Sequence, residues 1–232
     1  MREENARASA LIERAIGLDP NYAHAHAWKA CILGQQWGYG WCADRSATEK
    51  TIMQELETAL SLDDKDSDVH RILAAIMIVQ ENHAKAEYHQ QRALALNPND
   101  DLIVVQQGEL ATWLGQADEG IEWIRKAMRL NPFHPPRFWS HLARALFVAH
   151  RPAEAAEALQ RMASPDTANL ALLAACLAEM GDPAGAQAQA REVLKRKPDF
   201  SVARDYLPML HFKREGDLAH QREALLKAGL PA

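Results

Sequence analysis

Residues of this chain recur at a fixed interval of 34. The segment QRALALNPND ends at Asp100 and RKAMRLNPFH ends at His134. Ala93 maps onto Ala127, Leu96 onto Leu130, Asn97 onto Asn131 and Pro98 onto Pro132. Upstream, Ala74 maps onto Gly108 and Ala86 onto Gly120. A period of this length restricts the fold to an array of like units, each burying its apolar face against its neighbours.

Each unit reads as two amphipathic helices. Leu73, Ala74 and Met77 recur at helical spacing in the first, and Ala86, Gln90 and Ala93 form one stripe of the second. Small residues at Ala74 and Ala86 allow the two helices to approach closely. Asn97-Pro98 ends the second helix, and Asp100 is placed to cap the next.

The period and its small-residue pattern resemble the tetratricopeptide repeat, most closely over residues 67–134. The resemblance implies an all-α, right-handed solenoid of antiparallel helix pairs forming a single domain over 1–232. An orphan second helix is expected at 6–22 and a unit with an insertion at about 34–47 over 23–66. Further units are expected at 67–100, 101–134, 135–163 and 166–200, and a terminal helix pair at 201–229. The half-repeat at the front implies a piece of a longer protein.

Composition excludes several function classes. The formal net charge of −5 over 232 residues gives no electrostatic footprint for nucleic acid or anionic lipid. Three cysteines do not make a disulfide framework. The N-terminus MREENARASALIERA lacks a signal-peptide core, and the apolar run Ile72–Val79 falls far short of the ~20 residues of a membrane helix. A cytoplasmic protein with neither nucleic acid nor membrane as partner is expected.

No catalytic arrangement stands out. There is no Walker phosphate loop, dinucleotide fingerprint or zinc-protease signature, and Gly34, Gly38 and Gly40 do not follow a predicted strand. None of the ten histidines pairs with another at the spacing of a helical ligand pair. Asp63, Asp64, Asp66 and Asp68 fall between helices and read as caps. No enzyme activity, cofactor or metal is expected.

In the resembled family, first helices line the concave side. That geometry assigns Arg71, Glu109, Trp113, Arg137, Ser140, Arg144 and Phe147 to a binding groove. The arginines suit acidic groups of a ligand peptide, and Trp113 and Phe147 suit apolar anchors; the competing reading packs these rings against the next repeat. At the positions where some family members clamp a chaperone's C-terminal carboxylate, only Arg71 has the right chemistry. That departure argues against such a clamp.

The segment CILGQQWGYGWCADR carries a surplus of ten residues in the first full unit. A lengthened first helix, a bend at Gly38–Gly40 and a restart between Ala43 and Thr48 are expected. Trp37 and Trp41 are expected to be largely buried against the adjacent hairpin. Strongly exposed rings would instead make Trp37, Tyr39 and Trp41 a docking lip. Lys29 departs from the apolar residue usual at its place.

A narrower resemblance rests on NYAHAHAWKACIL with its insertion, LNPNDD, LNPFHPPRFWSHLARALF and the ending KPDFSVARDYLPMLHFKREGDLAHQREALLKAGLPA. These are similar to the C-terminal repeat domains of bacterial class III nucleotidyl cyclases and related transcription regulators. The resemblance implies regulatory or scaffolding work beside a catalytic or DNA-binding domain. The cyclase's metal-binding aspartates have no positions here. The expected function is a non-catalytic module that binds a protein or peptide, an upstream domain of the same polypeptide among the candidates. A self-associating or spacing solenoid and a small-molecule-sensing groove are the alternatives.

Overall fold

Residues 2–232, the part described by the computed structural model, hold twelve α-helices. They fall into two compact units that divide between Asn99 and Asp100. The first holds α1 (Arg2–Leu18), α2 (Ala23–Gly38), α3 (Arg45–Leu62), α4 (Ser67–Val79) and α5 (His83–Leu96). The second holds α6 (Asp101–Trp113), α7 (Ala117–Leu130), α8 (Arg137–Val148), α9 (Pro152–Gln160), α10 (Thr167–Glu179), α11 (Pro183–Arg196) and α12 (Glu215–Lys227).

Carboxylates set where helices begin. Asp66 Oδ1 accepts from the Asp68 amide at 2.8 Å, and Asp100 Oδ1 accepts from Leu102 and Ile103 at 2.9 and 3.0 Å. Asp44, Asp166 and Asp182 cap α3, α10 and α11 in the same way. Each supplies an acceptor for N–H groups that the first turn leaves unbonded.

The turn inside each pair is also repeated. Asn82 N donates to Met77 O, Gln116 N to Ala111 O, Arg151 N to Leu146 O and Asp182 N to Leu177 O, all at 2.8–2.9 Å. This six-residue closure needs one left-handed residue. Gly115 and Gly181 supply it at φ 80° and 77°, whereas Glu81 and His150 adopt it at 57° and 56° with side chains attached.

Small residues fix the helix crossings. Ala74, Ala86, Ala143, Ala155, Ala174 and Ala186 are all almost fully buried. Between α6 and α7 the approach is closer still. A Cβ on Gly108 would stand 2.6 Å from Ile124 Cγ1 and 2.7 Å from the Gly120 carbonyl.

The ten surplus residues of the 23–66 segment are shared out. Compared with the α4–α5 pair, α2 is three residues longer, α3 is four longer, and the turn 39–44 takes the remaining three. The expected restart is thus a helix that begins at Arg45 and runs to Leu62. Lys29 is accounted for as well. Its Nζ lies 2.8 Å from Glu55 Oε1 and 2.9 Å from Glu13 Oε1, tying α1, α2 and α3 together.

The first half of the expected terminal helix pair is not an α-helix. Val202–Tyr206 forms a π-turn and Leu207–Met209 a 3-10 turn. Pro208 lacks the N–H that a continuing α-helix needs there. The Val202 amide donates instead to Pro231 O at 2.8 Å. Residues 210–214 are then irregular until α12 starts at Glu215.

Candidate functional site

In the second unit, the face made by α6, α8 and α10 carries most of the residues expected to form a groove. Trp113 and Phe147, assigned to the groove with packing as the competing reading, are only 2% and 1% exposed. Their cover is the chain's own segment. Phe212 meets the Trp113 ring edge-on at 4.7 Å between centroids, and His211 does so at 5.7 Å. The Lys213 amide donates to Trp113 O at 2.8 Å. Phe147 stacks on His220 of α12 at 4.9 Å.

Charged groups lie under that cover. Glu109 Oε1 is 3.3 Å from His141 Nδ1 and 3.7 Å from Arg144 Nη1. The Arg144 guanidinium also sits 4.8 Å above the Trp113 ring. Burial alone would raise the Glu109 carboxyl, but His141, Arg144 and His211 outweigh it and hold it at about 2. Arg137 is exposed at the start of α8, and Ser140 Oγ donates to Met162 Sδ at 3.5 Å. The structure therefore brings Glu109, Trp113 and Arg144 together with His141, and leaves Arg137 and Ser140 outside that group.

Tyr206, His211, Phe212, His220 and Gln221 were not expected at this face. Tyr206 is buried and its Oη accepts from Gln221 Nε2 at 2.7 Å. Burial pushes its phenol well above the ordinary tyrosine value. The sequence signal was the aromatic and histidine density of DYLPMLHFKREGDLAH just where the repeat pattern stops.

The first unit has an open groove on its corresponding helices. It has a volume of about 260 Å³. Cys31, Gly34 and Trp37 line it from α2, and Arg71, Ala75, Ile76 and Val79 from α4. Arg71 is 8% exposed, with Nε donating to Asp68 Oδ1 at 2.6 Å. Trp37 is only partly buried and packs on the core formed by Ala30, Ile52 and Leu56. Its Nε1 is buried with no hydrogen-bond acceptor.

The rest of the insertion is more open than the burial expected for it. Trp41 is half-buried and stacks at 4.7 Å on Tyr39, which is 58% exposed. Arg45, the first residue of α3, covers the outer face of Trp37 at 4.1 Å. The six-residue turn is too short to fold back over all three rings, so Trp37 packs while Tyr39 faces outward.

One His/Asp cluster escaped spacing analysis because its members are far apart in sequence. Among the described residues, ligand atoms of His24, Asp66 and Asp68 lie within 4.8 Å of one another. The hydrogen bonds fix the histidine tautomer. Trp28 Nε1 donates to His24 Nε2 at 2.8 Å, so Nδ1 carries the hydrogen and donates to Asp66 Oδ2, also at 2.8 Å. Asp66 Oδ1 caps α4 and Asp68 Oδ1 accepts from Arg71. Both ring nitrogens are engaged within the protein, and the arrangement is a capping network.

No family profile matches the chain, and no curated protein matches it. Solved structures do. The Cut9–Hcn1 hetero-tetramer of the APC/C superposes with a TM-score of 0.73 at 17% identity, covering 88% of this chain. The chain spans 39% of the length of that protein. PilW, a type IV pilus biogenesis factor, gives 0.65 at 18% identity over 85% of this chain and 88% of its own. YrrB, described as a TPR protein with an unusual peptide-binding site, gives 0.53 at 15% identity over 81% and 93%. No helix among the described residues is long and apolar enough to cross a membrane. The chain has the all-α tetratricopeptide-type solenoid fold, built from antiparallel helix pairs.

Proposed function

We propose that the chain is a non-catalytic protein-interaction module, and that the groove of its first unit holds an extended apolar segment of a partner protein. The observation that carries this is the open groove itself, lined by apolar side chains of α2 and α4. A partner's apolar side chains would cover Ala75, Ile76 and Val79. At about 260 Å³ the groove falls just below the ~300–1,000 Å³ of small-molecule sites. It suits side-chain anchors better than an enclosed ligand. Tyr39, exposed and stacked on the half-buried Trp41, lies two residues beyond Trp37, which lines the groove. Regulatory or scaffolding work within a larger signalling protein is the finer reading; the similarity of the closing sequence to cyclase-linked repeat domains supports it.

The test is selection of displayed twelve-residue peptides on the protein, followed by calorimetry. Enriched peptides should share apolar anchors and bind Ile76→Asp at least tenfold more weakly, with helix content unchanged. Peptides that bind this variant as well as the parent chain would sink the assignment, as would a selection that enriches nothing.

A further inference from the structure

The second unit shows its corresponding face already occupied. Residues 207–214, LPMLHFKR, leave the π-turn and cross to the C-terminal end of α6. The attachment is peptide-like. Phe212 inserts an aromatic edge against Trp113, the Lys213 amide bonds to Trp113 O, and Arg214 lies over Gly115. Between them, an aromatic anchor, a backbone hydrogen bond and a basic side chain are the features by which helical grooves take extended segments.

The fit is incomplete: of residues 207–214 Leu210 alone is buried, at 7% exposure. Met209 is 43% exposed, Phe212 is only half-buried, and Lys213 and Arg214 are exposed. Leu210–Arg214 lack regular secondary structure. Arg144 Nε, whose guanidinium lies over the same Trp113 ring, is buried without a hydrogen-bond partner, and so are Asp217 Oδ2 and Gln221 Oε1 of the following stretch. Native interiors seldom leave such atoms unmet. By contrast, α12 itself is anchored, with Ala228 buried against Ala174, Ala178 and Ala186.

We propose that residues 207–214 are a displaceable occupant of a peptide site on α6 and α8, and that they gate it. The partner that replaces them is an extended protein segment with an aromatic residue for Trp113, a following basic residue for the Gly115 turn, and an acceptor for Arg144 Nε. With α12 holding one end and Tyr206 the other, the segment swings out without unfolding the helices. Its tethering gives a high effective concentration, so the site stays closed until a partner competes. This site lies in the second unit and stands apart from the groove of the first.

The probe is the synthetic peptide LPMLHFKR, measured by fluorescence anisotropy against the intact chain and against Phe212→Ala. The variant loosens the tethered copy, so the peptide should bind it at least tenfold more tightly than the parent. A peptide bearing the same Phe-to-Ala change should not bind. Equal affinity for both chains, or no binding to a variant with parental helix content, overturns the proposal. Amide exchange on the unmodified chain tests it without any substitution. Lys213 N–H should exchange at least a hundredfold faster than the Ala174 amide of α10, through local opening. Equal rates would mean that the segment leaves only on global unfolding, and would overturn the gate even if Phe212→Ala failed to fold.

Discussion

Lys29 Nζ and Glu55 Oε1 stand 2.8 Å apart, with side chains only 21% and 15% exposed. Glu55 is shared: Oε2 lies 2.6 Å from His26 Nδ1. Burial alone would raise Glu55, but hydrogen bonds from Lys29 and His26 prevail and hold it below the usual carboxylate value. Burial alone would lower Lys29, but the bonds to Glu55 and Glu13 prevail and raise it. Removing one partner strands the other. Lys29→Met is therefore expected to cost about 2–3 kcal/mol, less than the ~3–5 of a fully buried pair because water and His26 still reach Glu55. Lys29→Met with Glu55→Met should recover much of that loss. Urea unfolding of the two single variants and the double variant gives the coupling; a value near zero would show the contact to be idle.

The pH dependence follows from the same two shifts. Glu55 has a lower value folded than unfolded, so its contribution is complete above the unfolded carboxylate value and is lost as pH falls through the folded one. Lys29 has a higher value folded, so its contribution is complete below the unfolded lysine value and is lost as pH rises through the folded one. Stability of the Lys29→Met, Glu55→Met chain should accordingly vary less with pH at both ends than that of the parent.

Gly108 and Gly120 face each other across α6 and α7. A methyl group on Gly108 would meet Ile124 and the Gly120 carbonyl; one on Gly120 would stand 2.5 Å from Thr112 Oγ1 and 2.7 Å from the Gly108 carbonyl. Either alanine must push the helices apart, at an expected cost of about 1–3 kcal/mol despite alanine's better helix propensity. Gly38→Ala, with nothing within 4 Å of the added carbon, is the control and should be close to neutral. Thermal melts that rank Gly108→Ala no lower than Gly38→Ala would contradict this account of the crossing.

These glycines were legible in the sequence because they sit 34 residues from Ala74 and Ala86. Anything written in the period could be read that way, including the Asp100 cap and the break at Asn97-Pro98. What could not be read was non-periodic and long-range. Phe212 on Trp113 joins a segment outside the repeats to one inside them, and no spacing rule links the two. Lys29 looked like a misfit because its partners Glu13 and Glu55 lie on two other helices. His24, Asp66 and Asp68 converge only because α2 and α4 are neighbours.

Glu81 and His150 hold the left-handed place that glycine fills at 115 and 181. A side chain there costs about 1–2 kcal/mol in this backbone region, and glycine returns part of that as extra freedom of the unfolded chain. Glu81→Gly should therefore stabilise the chain by about 0.5–1 kcal/mol, seen as a higher urea midpoint at unchanged slope. Glu81→Val, branched at Cβ, should move the midpoint the other way.

Glu109 is the acid whose titration bears most on the second unit. It faces His141 and Arg144 from α8 and His211 from the irregular segment, and these charges outweigh burial to hold its carboxyl at about 2. Its folded value is below the unfolded value, so its contribution is fully present above pH ~4.5 and is lost as pH falls toward 2. Glu109→Gln should cost on the order of 2 kcal/mol at pH 6, a figure reduced for the access that solvent keeps to the pair. The difference between the two chains should shrink below pH ~4.5 and nearly vanish close to pH 2. Urea midpoints collected from pH 2 to 7 decide it: a gap that stays constant over that range would show that Glu109 acts through packing and not through its charge.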